Sequence, residues 1–244
     1  PPEACTVRGV TTFQHRIEFV YPDISTADSS SFADRGVFAP ANTSLTVSIA
    51  TSSTSSRIHY TLLKSADRLT KSYPNDIAEI TSAEFLNTVN VPGAPPHSLD
   101  LTGGCVVMFI RNVNFDSGIV NGRRRVVRSI SSKIIDVQIS ANGCPLVKIP
   151  RITFEAQVGR NGVSFHRQQF PLRVCYAMTI EKNRRQTSSG VGLDLLRDVS
   201  SHGRLYVALS RISSSRNVMT LVKADRHING VPHVANCVCE PFIL

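Results

Sequence analysis

The sequence predicts an α/β fold interrupted by a small β-barrel, and three observations carry that prediction. Short apolar runs bounded by turn residues stand early (35–42) and again late (170–180, 191–196 and 218–222). Between them, residues 105–154 hold four β-branched runs at close spacing with Asn-Gly punctuation, the pattern of a small barrel or compact antiparallel sheet. Finally, Leu205, Leu209 and Ile212 stand at spacings of four and three, which predicts a helix over 203–212. Strands alternating with a helix around a strand-only block make an interrupted α/β domain rather than an all-β protein.

In chain order, "PDISTADSSSFAD" (22–34) is polar and turn-rich and reads as a loop. "RGVFAPAN" (35–42) has an apolar run that stops at Pro40, as a buried strand followed by a turn would. The Ser/Thr-rich stretch 43–65 suits a strand or a helix equally in its first part. "VPGAPPHS" (91–98) reads as a rigid connection, because proline has no amide donor and breaks helices. "CVVMFIRNVN" (105–114), "RRVVRSIS" (124–131), "KIIDVQIS" (133–140) and "LVKIPRITF" (146–154) read as strands, with turns at Asn121-Gly122 and at 141–143. "FPLRVCYAMTI" (170–180) reads as one strand leading into the basic segment "EKNRRQTSSG". Strand 191–196, helix 203–212 and strand 218–222 complete the order, and no internal repeat is visible.

Composition bounds the function class. The chain has 244 residues, 41% of them hydrophobic, enough for a real core, and no apolar stretch reaches transmembrane length. Its first residues carry no apolar signal-peptide core and no initiator Met, so an intracellular excerpt or a processed chain is expected. Six cysteines in a chain this long do not form a disulfide framework, and the Cys237-x-Cys239 pair has no second ligand pair, so no metal site is expected. Net charge is +9, unevenly spread: residues 1–100 carry seven Lys/Arg against ten Asp/Glu, and residues 101–244 carry twenty against eight. A basic half suits a polyanion partner, although charge alone leaves open a merely high isoelectric point.

Two places could carry chemistry. Lys182, Arg184, Arg185, Gln186 and Thr187 follow directly on a strand, and ligands of open α/β sheets bind beyond strand carboxyl ends. Such a group suits phosphates; by composition alone it reads as a solvated basic loop. Arg211 ends the run "GRLYVALSR", where a helix could deliver a fixed guanidinium to developing phosphoryl charge, or merely place it in water at a helix end. His202, beside Gly203, is the one histidine worth watching; it also suits a loop or cap position. No G-x-x-x-x-G-K-[ST], H-E-x-x-H, G-x-S-x-G or G-x-G-x-x-G occurs, so these residues hold no phosphate cradle of their own.

Blocks in one order resemble a known family. They are the stretch from "EFLNTVNVPGAPPHSLDLTGG" to "NGRRRVV", then "IPRITF", "RQQFPLRVCYAMTIEKNRRQT" and "SHGRLYVALSRISS", preceded by "FVYPDI" and "RGVFAPAN". Together they resemble the C-terminal half of Helitron-type DNA helicases, in the petite-integration-frequency family of superfamily 1, over residues 16 to 222. The resemblance implies a second RecA-like motor domain interrupted by a small β-barrel, a P-loop NTPase-like fold without the P-loop. The boundaries it implies are 1–81 with 168–226 for the motor domain and 82–167 for the barrel, with 227–244 an unassigned tail.

The same resemblance implies roles. Arg211 would be the finger on the γ-phosphate. Lys182, Gln186 and Thr187 match a block that links nucleotide to DNA. Thr179, Arg184, Arg111 and Asn121 would contact DNA. The implied cofactors are ATP and Mg2+, held mainly by an N-terminal RecA-like domain, and the implied partners are that domain and single-stranded and forked DNA, in the nucleus. Asn183, Arg184 and Arg185 stand where the family has Ser, Gln and Gly, and Ala41 stands where it has Thr. Arg185 adds a Cβ where glycine lets backbones approach. The expectation is that this chain does not hydrolyse ATP by itself. The other readings are a stand-alone nucleic-acid-binding module, resting on the basic half and the barrel, and a decayed remnant of a mobile element.

Overall fold

The computed structural model describes residues 8–10, 13–22, 29–40, 60–70, 82–138, 146–158, 163–183, 188–199, 201–228 and 231–234. The chain divides into two compact units, residues 1–56 with 175–244, and residues 57–174. The boundaries expected from sequence, 82 and 167, fall inside the second unit. Residues 61–69 pair with its strands, and sequence gave no periodic signal that would have moved them there.

The first unit opens with strand β1 (Arg8–Val10) and helix α1 (Phe13–Val20). Ile17, Val20 and Tyr21 are buried at helical spacings of three and four, so α1 presents one apolar face to the unit. The Tyr21 hydroxyl reaches the carbonyls of Arg35 (3.0 Å) and Tyr176 (2.6 Å), and its ring meets Phe32 and Tyr176 edge-on. Residues 29–34, expected as loop, form a 3-10 helix that buries Phe32. An isolated aromatic gave too little pattern to reveal that turn. Strand β2 (Arg35–Ala39) follows and is buried from Gly36 onward, as expected for a central parallel strand.

The second unit holds β3 (Thr61–Lys64), β4 (Ala66–Leu69), α2 (Ala83–Thr88), β5 (Ser98–Leu101), β6 (Val106–Phe109) and β7 (Arg124–Ile130). It continues with β8 (Ile134–Gln138), β9 (Leu146–Pro150), β10 (Ile152–Gln157), β11 (Ser164–Gln169) and β12 (Leu172–Val174). Where a small barrel was expected, the described residues form three antiparallel ladders, β12-β6-β7-β8-β9, β10-β11-β4 and β3-β5. Ser65 alone separates β3 from β4, Arg151 alone β9 from β10, and Phe170–Pro171 alone β11 from β12, each a pair of consecutive strands that belong to different ladders.

Side chains brace those junctions. Gln169, fully buried, gives its amide hydrogens to the carbonyls of Leu63 (3.0 Å) and His97 (2.9 Å) and accepts the Phe170 N–H (3.0 Å). Arg151 reaches the Lys64 and Ser132 carbonyls and the Gln169 amide oxygen, and it lies over the Phe170 ring. Arg167, fully buried on β11, uses every donor: Nε and Nη2 hold Asp67, while Nη1 and Nη2 reach the carbonyls of Leu86, Val89 and Pro95 at 2.7–3.1 Å. One guanidinium thereby joins β4, β11, α2 and the proline-rich connection.

The chain returns to the first unit with β13 (Ala177–Thr179), a 3-10 turn (Ile180–Asn183), β14 (Gly190–Asp194), α3 (Arg204–Leu209), β15 (Val218–Leu221), β16 (His227–Ile228) and β17 (Val231–Pro232). The run 170–180, expected as one strand, is split: β12 joins the antiparallel insert and β13 joins the first unit. Five strands form one parallel sheet in the order β1-β15-β14-β2-β13. The small β16–β17 ladder lies in the tail left unassigned from sequence. Among the described residues, no helix is long and apolar enough to cross a membrane.

Candidate functional site

In the first unit the candidate residues distribute along α3. Parallel pairing aligns Thr179 with Ala39, so both close their strands at the carboxyl edge of the sheet. Thr179 is half-buried there, and Lys182 is exposed in the 3-10 turn just beyond. Arg204, the first residue of α3, ties this edge together: Nη2 meets Glu181 at 2.6 Å and Nη1 donates to the Pro40 carbonyl at 3.1 Å. The sequence reading missed both Arg204 and Glu181. Their separation in sequence hides the pair, and only the fold brings it together.

Arg211 stands at the other end. Its carbonyl accepts the Ser188 N–H at 2.8 Å, and Ser188 precedes β14. The helix therefore runs antiparallel to the strands, from their carboxyl edge at Arg204 towards their amino edge at Arg211. Six helical residues span roughly 9 Å along the axis, which separates the Arg204 end of α3 from the Arg211 end. The carboxyl-edge rule thus accounts for Thr179 and Lys182 but not for Arg211. Arg184, Gln186 and Thr187 lie outside the described residues.

The helix itself differs from the expectation. It spans Arg204–Leu209 rather than 203–212, and Ala208 is its one fully buried residue. The apolar run before Arg211 suggests core packing, but Leu209 is 39% exposed and Tyr206 74% exposed, so the run is only partly covered. The 3.6-residue period identified the helix, but periodicity does not say whether a covering layer exists. Arg211 is half-buried, with Nε directed to Ser210 Oγ at 3.3 Å; its guanidinium is not sealed inside the unit. His202 is exposed, and Gly203 caps α3 in the left-handed region (φ +75).

In the inserted unit the fold does bring two candidates together. Arg111 and Asn121 line one hollow of about 520 Å³, with Asn112, Phe154, Glu155 and Gly93. Arg111 follows β6, and the Asn121-Gly122 turn leads back into β7. Gly122 sits at φ +85, a backbone that side chains with a Cβ resist, and its N–H bonds the Phe109 carbonyl at 2.8 Å. The Asn121 N–H bonds Asn112 Oδ1 at 2.8 Å, which fixes the turn beside Arg111. The Arg111 guanidinium lies over the Phe154 ring, 5.4 Å from its centroid. Glu155 and Phe154 went unnoticed in sequence because β10 is remote from residues 111–121 in the chain.

A parallel α/β sheet broken by an antiparallel insert is a fold this chain shares with solved DNA helicases. A structure of Bacteroides Pif1 bound to single-stranded DNA matches at TM-score 0.52 and 18% identity, over 86% of this chain and 45% of that one. A structure of two coordinating Pif1 helicases at forked DNA matches at TM-score 0.51 and 18% identity, over 86% of this chain and 43% of that one. The family model for the 2B domain of the DNA helicase Pif1 matches residues 84–130, inside the inserted unit. The human ATP-dependent DNA helicase PIF1 is 30% identical over 144 residues, covering 58% of this chain and 22% of that protein. The inserted unit is thus similar to the Pif1 2B domain, and the chain as a whole shares its fold with Pif1 helicases. It spans less than half the length of each of these relatives.

Proposed function

We propose that this chain is the C-terminal motor half of an ATP-dependent DNA helicase of a Helitron-like element, acting in the nucleus on single-stranded and forked DNA. The observation that carries this reading is a parallel α/β unit interrupted by an insert whose residues 84–130 match the Pif1 2B domain. The human relative is an ATP-dependent DNA helicase, and the solved relatives are described with single-stranded and forked DNA.

In this reading Arg211 stabilises charge developing on the γ-phosphate of ATP. Lys182, Gln186 and Thr187 link nucleotide to DNA, and Thr179, Arg184, Arg111 and Asn121 hold DNA. The residues suit a polyphosphate: Lys182 is exposed and Arg211 half-exposed, and both are cations. None of these site residues is a carboxylate, so Mg2+ would be held by donors outside the set, on the N-terminal RecA-like domain. When bound, Mg2+ would neutralise phosphate charge; the part of this chain is to supply a rigid cation and a DNA surface. Arg204 supports that surface by tethering the turn of Lys182 to α3.

Two assays test the proposal on the purified chain. Affinity for single-stranded DNA, read by fluorescence anisotropy, should fall steeply as salt rises, because the counterions that binding releases gain less entropy at high salt. ATP hydrolysis with single-stranded DNA present should stay at background. No binding at low salt would refute the DNA reading, and turnover above background would refute the half-motor reading.

A further inference from the structure

The hollow of the inserted unit is open and lined mostly by exposed residues. Its floor is a stack. The Phe154 ring is buried, and the Arg111 guanidinium lies over it at 5.4 Å. Burial fixes the ring, and cation–π attraction holds the guanidinium above it. Asn112, Asn121 and Glu155 also line the hollow. Asn112 spends its oxygen on the Asn121 N–H, which leaves its amide hydrogens as donors. At Gly93 the wall has no side chain, and an added Cβ would meet nothing within 4 Å. Arg173, exposed on β12, reaches the carbonyl of neighbouring Ala94, so a second cation stands near the rim.

Ligand classes can be compared on this surface. A lone phosphate would be drawn by Arg111 and repelled by Glu155. An apolar group would leave two amides and two charges desolvated without partners. A nucleobase suits every wall: its face stacks on a guanidinium plane, and its edge both donates and accepts hydrogen bonds. The volume of about 520 Å³ also admits the attached sugar. We propose that the hollow receives one unstacked base of single-stranded DNA, stacked on Arg111 with its Watson–Crick edge read by Glu155 and Asn112. A carboxylate accepts from base N–H groups. Guanine presents two such groups side by side, whereas thymine presents one between two carbonyl oxygens, so thymine fits least well. This inference rests on the DNA reading of Arg111 and Asn121 and adds a base-binding role to it.

The test uses the purified chain at low salt with labelled single strands of equal length: mixed sequence, thymine only, and abasic throughout. Anisotropy should show the mixed strand binding about tenfold more tightly than the abasic one, with thymine between them. Arg111→Lys keeps the charge and loses the plane; it should close most of the gap between mixed and abasic strands. Glu155→Gln should narrow the difference between mixed and thymine strands. A 2-aminopurine placed in the strand should brighten on binding to the native chain and less so with Arg111→Lys. Should Arg111→Lys fail to fold by circular dichroism, Asn112→Ala carries the same comparison. Equal affinity for mixed and abasic strands, with binding retained, would overturn the base pocket alone. Absence of all binding would overturn the DNA reading together with it.

Discussion

A fully buried guanidinium such as that of Arg167 persists only because each of its donors has an acceptor. Asp67 supplies the counter-charge, and three carbonyls take the rest. Removing one partner strands the other in a dry site, so Arg167→Ala should destabilise the inserted unit by about 3–5 kcal/mol, read by urea unfolding. His97 sits beside the same network. The Ser65 hydroxyl gives its hydrogen to Asp67, so His97 Nδ1 donates to Ser65 Oγ. Burial is the main cause that lowers the His97 pKa from 6.5, with Arg167 and Lys64 adding to it and Asp67 opposing. A lowered folded pKa means that protonation favours the unfolded chain. The stability is present above pH 6.5 and is lost as pH falls from there through the lowered value. Melting temperature should therefore drop between pH 7.5 and 5, and His97→Gln should flatten that part of the slope; an unchanged slope would exclude His97 as its source.

Elements set where functional side chains point. The Asn121-Gly122 turn holds Asn121 in the hollow, and Gly122 does so through its positive φ rather than through crowding, since an added Cβ there meets nothing. Gly122→Ala should cost about 1 kcal/mol of stability. It should also weaken DNA binding, while Gly122→Asn should do less harm, because asparagine tolerates the left-handed region. At α3, Arg204 and Glu181 are 25% and 46% exposed, so water screens their pair. Arg204→Ala should change unfolding free energy by less than about 1 kcal/mol. Its effect belongs to position: in a complete motor the variant should raise the nucleotide KM more than it lowers kcat. Arg211→Ala there should cut turnover about 10³-fold or more with DNA affinity nearly unchanged.

At the scale of the whole molecule, the interrupted architecture was legible in sequence because its signals are local. β-Branched runs between Gly, Asn and Pro marked most of the central strands, and a short helical period marked α3. Arg111 and Asn121, named through the resemblance of their stretch to a helicase insert, line one hollow. The boundaries were not legible, since β3 and β4 take their strand character from partners such as β5 and β11, up to a hundred residues away. The same reason hid Arg167, Arg204, Phe154 and Glu155: each acts through a partner that the chain brings near only by folding. The sequence by itself determined the periods, the turns and the basic second half, because side-chain pattern and backbone preference act between neighbours. Tertiary structure alone decided which ladder each strand joins, that the helix before Arg211 is only partly covered, and that Arg111 rests on Phe154. Those depend on long-range burial and pairing, which no local stretch of residues encodes.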